Sequence, residues 1–292
     1  MKSRFVNRAM PYVYIAPAMV GIIGLSGGAI LDSLRISFTD WDLVSDPVYR
    51  GIGNYVELAS SSLFWQVFKN TITYALFTVP MSIVASLLLA LLVNRHVRGI
   101  AFFRAAYFVP VVVSMVAAAM IWSWLYNPEF GVINWVLREV LGIDGPRWLQ
   151  DPDLSLISIA LMSVWKGLGY NMVILLAGLQ QIPPHLYEAA TLDGAGRVGR
   201  FIHVTLPMLS PTLFFVLVIT TISAFQIFEQ TYVLTQGGPA NSTLTLSYYV
   251  YQNAFQFFRM GYAAALAYVL FALTALVAAL QFRLQRRWVY NG

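Results

Sequence analysis

Cysteine is missing from this 292-residue chain, which excludes a disulfide framework, a thiolate zinc site and thiol-based catalysis. Charge is scarce as well: 11% of the residues are Asp, Glu, Lys or Arg, against roughly 25% in soluble domains. A water-soluble fold is excluded as the first reading. No Gly-x-x-x-x-Gly-Lys-Ser/Thr loop occurs, so the chain does not cradle ATP phosphates by that device. Gly194-Ala-Gly-Arg-Val-Gly199 has the spacing of a dinucleotide fingerprint, but no strand precedes it and no βαβ unit surrounds it, so it is set aside. No internal repeat or low-complexity tract is visible. What fills the chain is apolar: 59% of its residues are hydrophobic. The net charge of +5 is distributed as membrane topology requires, not as a nucleic-acid surface would be.

Six stretches are apolar and long enough to cross about 30 Å of hydrocarbon, which takes roughly 20 helical residues. They are Tyr12–Leu31, Thr71–Val93, Ala105–Leu125, Ser155–Leu179, Met208–Phe228 and Gly261–Phe282. The runs are continuous rather than alternating, and a spanning segment must satisfy its own backbone hydrogen bonds, so helices are expected. The expected fold is an all-α membrane protein of six transmembrane helices, a single domain over 1–292 with a core at about 67–285 and the first helix plus its outer connection at 1–66. The basic start and the apolar run at Gly21–Ile30 could pass for a secretory signal, but five further spans favour a retained helix.

Basic residues set the orientation. Lys2, Arg4 and Arg8, then Arg95, Arg98 and Arg104, then Arg197 and Arg200, and last Arg283, Arg286 and Arg287 fall on one side. Arg35, Arg50, Lys69, Arg138, Arg147 and Arg259 fall on the other. The positive-inside rule places the richer side, and both termini, in the cytoplasm of a multi-pass protein. Trp41, Trp65, Trp135 and Trp148 on the outer connections suit ordered interfacial segments.

One cytoplasmic connection differs from the rest. Pro183-Pro184 stops the fourth span, a short helix fits His185–Leu192, Asp193-Gly194 signals a turn, a second short helix fits Ala195–Val204, and Pro207 opens the fifth span. On physics alone this is equally an amphipathic elbow resting on lipid. Its residues, however, Glu188-Ala189-Ala190, Asp193-Gly194-Ala195, Ile202 and Leu206-Pro207, match the EAA motif of permeases from binding-protein-dependent ABC importers. The likeness continues through Ser37-Phe-Thr-Asp-Trp41, Asn54-Tyr55, Phe102-Phe103-Arg104, Trp165-Lys-Gly-Leu-Gly-Tyr170 and Leu234-Thr-Gln-Gly-Gly-Pro239. The chain thus resembles the sugar-type permeases of the maltose and glycerol-3-phosphate importer group over nearly its whole length.

That resemblance implies a type I ABC importer permease fold in a bacterial inner membrane. It implies a segment, Glu188 to Ala195, acting as a coupling helix seated in an ATP-hydrolysing partner. Glu188 would meet a basic group there, Ala189 and Ala190 would allow close approach, and Gly194 would make the bend beside Asp193. The implied partners are a second homologous permease, two ATP-binding subunits that carry ATP and Mg, and an extracytoplasmic solute-binding protein, besides lipid. The chain itself is expected to hold no cofactor or metal and to perform no covalent chemistry.

Ionisable residues inside spans are functional candidates, and Lys166 and Glu229 are the two here. Near them lie Gly167, Gly169, Tyr170 and Asn171, then Thr220, Ser223, Gln226 and Gln230 with Phe225 and Phe228 interleaved. Hydroxyls and amides bind sugar hydroxyls while aromatic faces pack on sugar rings. Alternatively, Lys166 satisfies helix-end carbonyls and Glu229 lies in water. The resemblance implies cavity positions at Lys166, Gly167 and Tyr170, and at Thr220, Ser223, Ala224 and Ile227; the apolar Ala224 and Ile227 argue against maltose itself. It also implies that the outer loop at Gly237, Gly238 and Pro239 faces the solute-binding protein. The expected function is inward translocation of an oligosaccharide or related polyol by alternating access. A phosphorylated-polyol importer and an ion-coupled carrier are the alternatives.

Overall fold

A computed structural model describes residues 2–94 and 99–290; Arg95 and Arg98 of the topology argument lie outside the described residues. The chain divides into two compact units, Met1–Ser61 with Val250–Val269, and Ser62–Tyr249 with Leu270–Gly292.

In the first unit, the apolar helix Tyr14–Ser37 carries a π-helical stretch at Ile22–Gly27. Most of its side chains are exposed, Val20, Ile23, Leu25 and Leu31 among them, and cover is confined mainly to its last turns, where Ser37 is buried, as expected of a helix whose neighbours are lipid or another chain. At its end a two-stranded antiparallel hairpin pairs Thr39 with Tyr49. The buried Asn54 amide donates to the carbonyls of Ser37 at 2.9 Å and Thr39 at 2.8 Å, satisfying groups released where the helix stops. Gly261 is needed because a Cβ there would run into the Thr39 carbonyl oxygen. Glu57 accepts from Arg50 at 3.0 Å and also from Arg259, whose guanidinium lies 4.4 Å from the Tyr262 ring centre.

The second unit is built around the helices Ser62–Val93 and Ser155–Gln180. Small residues set how closely helices approach in a bilayer. Gly169 admits the Tyr107 carbonyl, and Gly178 admits Thr212 and Leu209. Arg104 donates to the Val93 carbonyl at 2.9 Å, a cation at a helix C-terminus where it opposes the dipole. Between the third and fourth spans, Asn134 donates to the carbonyls of Pro128 and Pro146 and accepts from Trp148, which orders that connection.

Two helical boundaries differ from the sequence expectation. The third span is not one helix over Ala105–Leu125: Ile100–Val112 and Met115–Leu125 meet at a bend of 101°. Pro110 removes one backbone donor near the end of the first arm, and Ser114, extended, caps the second arm through Ala117 N at 3.2 Å. The fifth span does not open at Pro207, nor is Ala195–Val204 a separate short helix. A helix starts at Arg197, passes through a π-helical turn at Phe201–Thr205 and runs on to Phe225. The wide turn lies just before the proline, where a backbone donor is lacking, so the helix continues through it. With the bent pair as one crossing, the described residues hold six candidate spans, near the six expected stretches.

Candidate functional site

The connection between the fourth and fifth spans folds as a helix, Pro184–Leu192, with Pro184 in its first turn, where a missing amide costs nothing. It ends in a glycine cap: Gly194 has φ +80°, Asp193 N bonds the Ala189 carbonyl and Ala195 N the Ala190 carbonyl at 2.9 Å. This is the left-handed turn that glycine favours. One face is anchored. Leu186 and Tyr187 pack against the apolar cluster of Leu175, Leu179 and Ile182, and the Tyr187 hydroxyl lies 3.1 Å from Thr205 Oγ1. The other face is open: Glu188, Ala189, Asp193 and Gly194 are exposed, while Ala190 and Ala195 are half-buried. Leu192 is 89% exposed and Val198 71%, so an apolar tip sits on a rigid base. Leu192 was not singled out among the candidates, although an apolar residue closing a polar helix is a readable signal.

A second feature is a cavity of about 380 Å³ between spans of the second unit. Lys166, Gly167 and Tyr170 line it from the fourth span, and Thr220, Ser223 and Ala224 from the fifth. Asn171 donates to Thr220 Oγ1 at 3.2 Å, joining the two walls. Three further residues come from the second span, Tyr74, Thr78 and Ser82, and two from the bent third span, Val111 and Met115. The first three stand four residues apart on one helix face, a polar stripe legible in an apolar run but not singled out. Gln230 also lines the cavity.

The remaining candidates lie elsewhere. Ile227 is 3% exposed and belongs to the apolar cluster with Ala224 and Phe225; its carbonyl accepts from Thr245. Its place after the helix end at Phe225 turns it off the fifth-span face. Gln226 is exposed at that helix end and Glu229 is exposed at the start of the short helix Glu229–Leu234. Lys166 Nζ donates to the Val111 carbonyl at 3.1 Å, and among the described residues no ion pair joins it to Glu229.

The loop before the last span is tightly tied. Thr243 Oγ1 donates to the Gly238 carbonyl at 2.7 Å, and Asn70 donates to the carbonyls of Asn241 and Leu244. Gly237, with φ +86°, is buried against Leu244 and Tyr248, while Gly238 and Pro239 are half-buried; Ala240 and Asn241 form the exposed tip.

Residues 51–290 match the family model described as binding-protein-dependent transport system inner membrane component. The probable ABC transporter permease protein YesP of Bacillus subtilis (strain 168) is 38% identical over 99% of this chain and 95% of its own length. The lactose transport system permease protein LacF of Rhizobium radiobacter is 37% identical, over 93% of this chain and 92% of its own. Among solved structures, a bacterial alginate ABC transporter in complex with an alginate pentasaccharide-bound periplasmic protein aligns with a TM-score of 0.83 and 24% identity, covering 99% of this chain and 98% of that one. At that identity the likeness is one of fold.

Proposed function

This chain belongs to the family of binding-protein-dependent transport system inner membrane components, and on that premise we propose that it is the membrane-spanning permease subunit of an ATP-driven importer for a carbohydrate. The lactose permease relative and the hydroxyl-, amide- and tyrosine-bearing cavity support that cargo. The chain is a transport subunit, and hydrolysis of ATP with Mg takes place on two separate ATP-binding subunits. A second permease completes the membrane passage, and a solute-binding protein delivers cargo on the outer face, where the Gly237–Pro239 loop and its tip stand. The termini and the Glu188 segment lie in the cytoplasm.

One observation carries the mechanism. The helix that begins just after the Gly194 turn runs from Arg197 to Phe225, so a single rod of roughly 43 Å at 1.5 Å per residue connects the exposed coupling segment to Thr220 and Ser223 in the cavity wall. Closure of the ATP-binding subunits moves the Glu188–Ala195 segment. The Tyr187–Thr205 contact passes the motion to the fifth span, and the cavity turns from outward to inward access. Gly167, Tyr170, Thr220, Ser223 and Ala224 form the wall that the solute touches, with Lys166 beside them.

The test is uptake by proteoliposomes holding this chain, its partner permease and the ATP-binding subunits, with the solute-binding protein added outside. Accumulation of a neutral disaccharide that requires both ATP and the solute-binding protein is expected. Accumulation driven by an ion gradient without ATP would overturn the reading.

A further inference from the structure

A helix broken inside a bilayer leaves backbone groups that only protein or trapped water can satisfy. At the break in the third span, one freed amide of the second arm is met by Ser114, whose Oγ accepts from Ala117 N. One freed carbonyl of the first arm is met from another span: Val111 O accepts from Lys166 Nζ at 3.1 Å. A cation at the C-terminal end of a helix also opposes the partial negative charge gathered there. Three residues further along the fourth span, Gly169 lies where a Cβ would strike the Tyr107 carbonyl. Residues three apart share a helix face, so one face of the fourth span grips the first arm twice, by close approach at Gly169 and by the ammonium at Lys166.

The position of this grip matters because Val111 and Met115, on either side of the break, line the same cavity as Lys166. Among the described residues that line it, none is a carboxylate. The other polar lining groups are hydroxyls and amides: Tyr170, Thr220, Ser223, Asn171 and Gln230 among them. We infer that Lys166 is a positioning residue whose charge pins the bend of the third span as a wall of the cavity, and that the solute is read by uncharged groups rather than by a Lys166–anion pair. The word solute rests on the importer reading above; the pin itself does not.

The absence of cysteine from the chain supplies the test. In the assembled complex, Val113→Cys places the only thiol of this subunit at the break, and its rate of labelling by a water-soluble maleimide reports whether the bend is held. Lys166→Met in that background is expected to speed labelling roughly tenfold to hundredfold, the range for losing a hydrogen bond to a charged group. Lys166→Arg is expected to restore slow labelling, and Lys166→Gln, with a neutral donor, to fall between. In uptake without the cysteine, Lys166→Met lowers the maximal rate for a neutral disaccharide and for a uronic-acid disaccharide alike, and Lys166→Arg recovers it. Unchanged labelling in both the methionine and glutamine variants overturns the inference, as does a raised KM confined to the acidic sugar. Should the methionine variant fail to assemble, the arginine and glutamine variants decide by the same labelling order. If the wild-type complex moves no sugar, the carbohydrate reading fails while the labelling result still stands or falls by itself.

Discussion

Two glycines in the turn after Pro184–Leu192, the segment proposed to couple to the ATP-binding subunits, separate backbone conformation from mere space. Gly194 has φ +80° and Gly196 has φ −70°, yet a Cβ on either meets nothing within 4 Å. Alanine at 196 is therefore expected to be tolerated. Alanine at 194 must hold a left-handed backbone, which costs roughly 1–2 kcal/mol, a factor of about 5–30 in the population of the native turn. Valine, branched at Cβ, is worse there, and asparagine, which visits this region more readily, is milder. Because the turn fixes how Pro184–Leu192 is presented beside the Arg197 helix, the loss is expected in coupling. Solute-stimulated ATP hydrolysis and uptake by the reconstituted complex fall in the order Gly194, Asn, Ala, Val, while Gly196→Ala stays near wild type. Equal uptake by Gly194→Val and Gly196→Ala, at equal assembly, would refute the reasoning.

Gly169→Ala drives a methyl into the Tyr107 carbonyl and should destabilise the subunit by roughly 1–3 kcal/mol, read as a lower unfolding temperature of the purified complex; Gly167→Ala, with open space around it, should leave that temperature unchanged. Partial burial pushes the Glu57 carboxyl up, but the guanidiniums of Arg259 and Arg50 more than offset this and hold it below the ordinary carboxylate value. Its stabilisation is therefore present above the unfolded value of about 4.3 and lost as pH falls through the folded one. Comparing unfolding at pH 7 and pH 3, wild type should lose about 0.2–1 kcal/mol more than Glu57→Gln, and parallel curves would count against the clip. Thr71 donates to the Val67 carbonyl and accepts from Leu246 N, whereas the buried Thr78 hydroxyl faces the Tyr74 side chain at the cavity. Thr71→Val should cost about 1–3 kcal/mol and Thr78→Val, which breaks one contact instead of two, less; a raised KM for Thr78→Val at a stability above that of Thr71→Val would mark the second-span stripe as part of the cavity wall.

The crossings were legible because hydropathy and the need for internally satisfied backbone groups are local properties of the chain. Pro184 in the first helical turn, the glycine at 194 and the Glu-Ala-Ala run were legible for the same reason, since a cap or a turn depends on its immediate neighbours. The passage of the fifth helix through Pro207 was not, because a proline ordinarily ends a helix and only the π-helical turn before it makes room. Nor was the bend of the third span. Pro110 and Ser114 allow it, but a break also depends on what meets the freed backbone groups, and the group that meets the Val111 carbonyl, Lys166, is 55 residues away in sequence.

By itself the sequence determined an all-helical membrane chain, its number of crossings and a helix with a glycine turn between the fourth and fifth. Tertiary structure decided which polar residues face one another: Tyr74, Thr78 and Ser82 join Tyr170, Thr220 and Ser223 around a cavity, while Ile227 turns into the core. The reason is physical. Helical periodicity fixes which residues share a face, but the rotation of each helix about its axis is set by packing against its neighbours, here through Gly169 and Gly178.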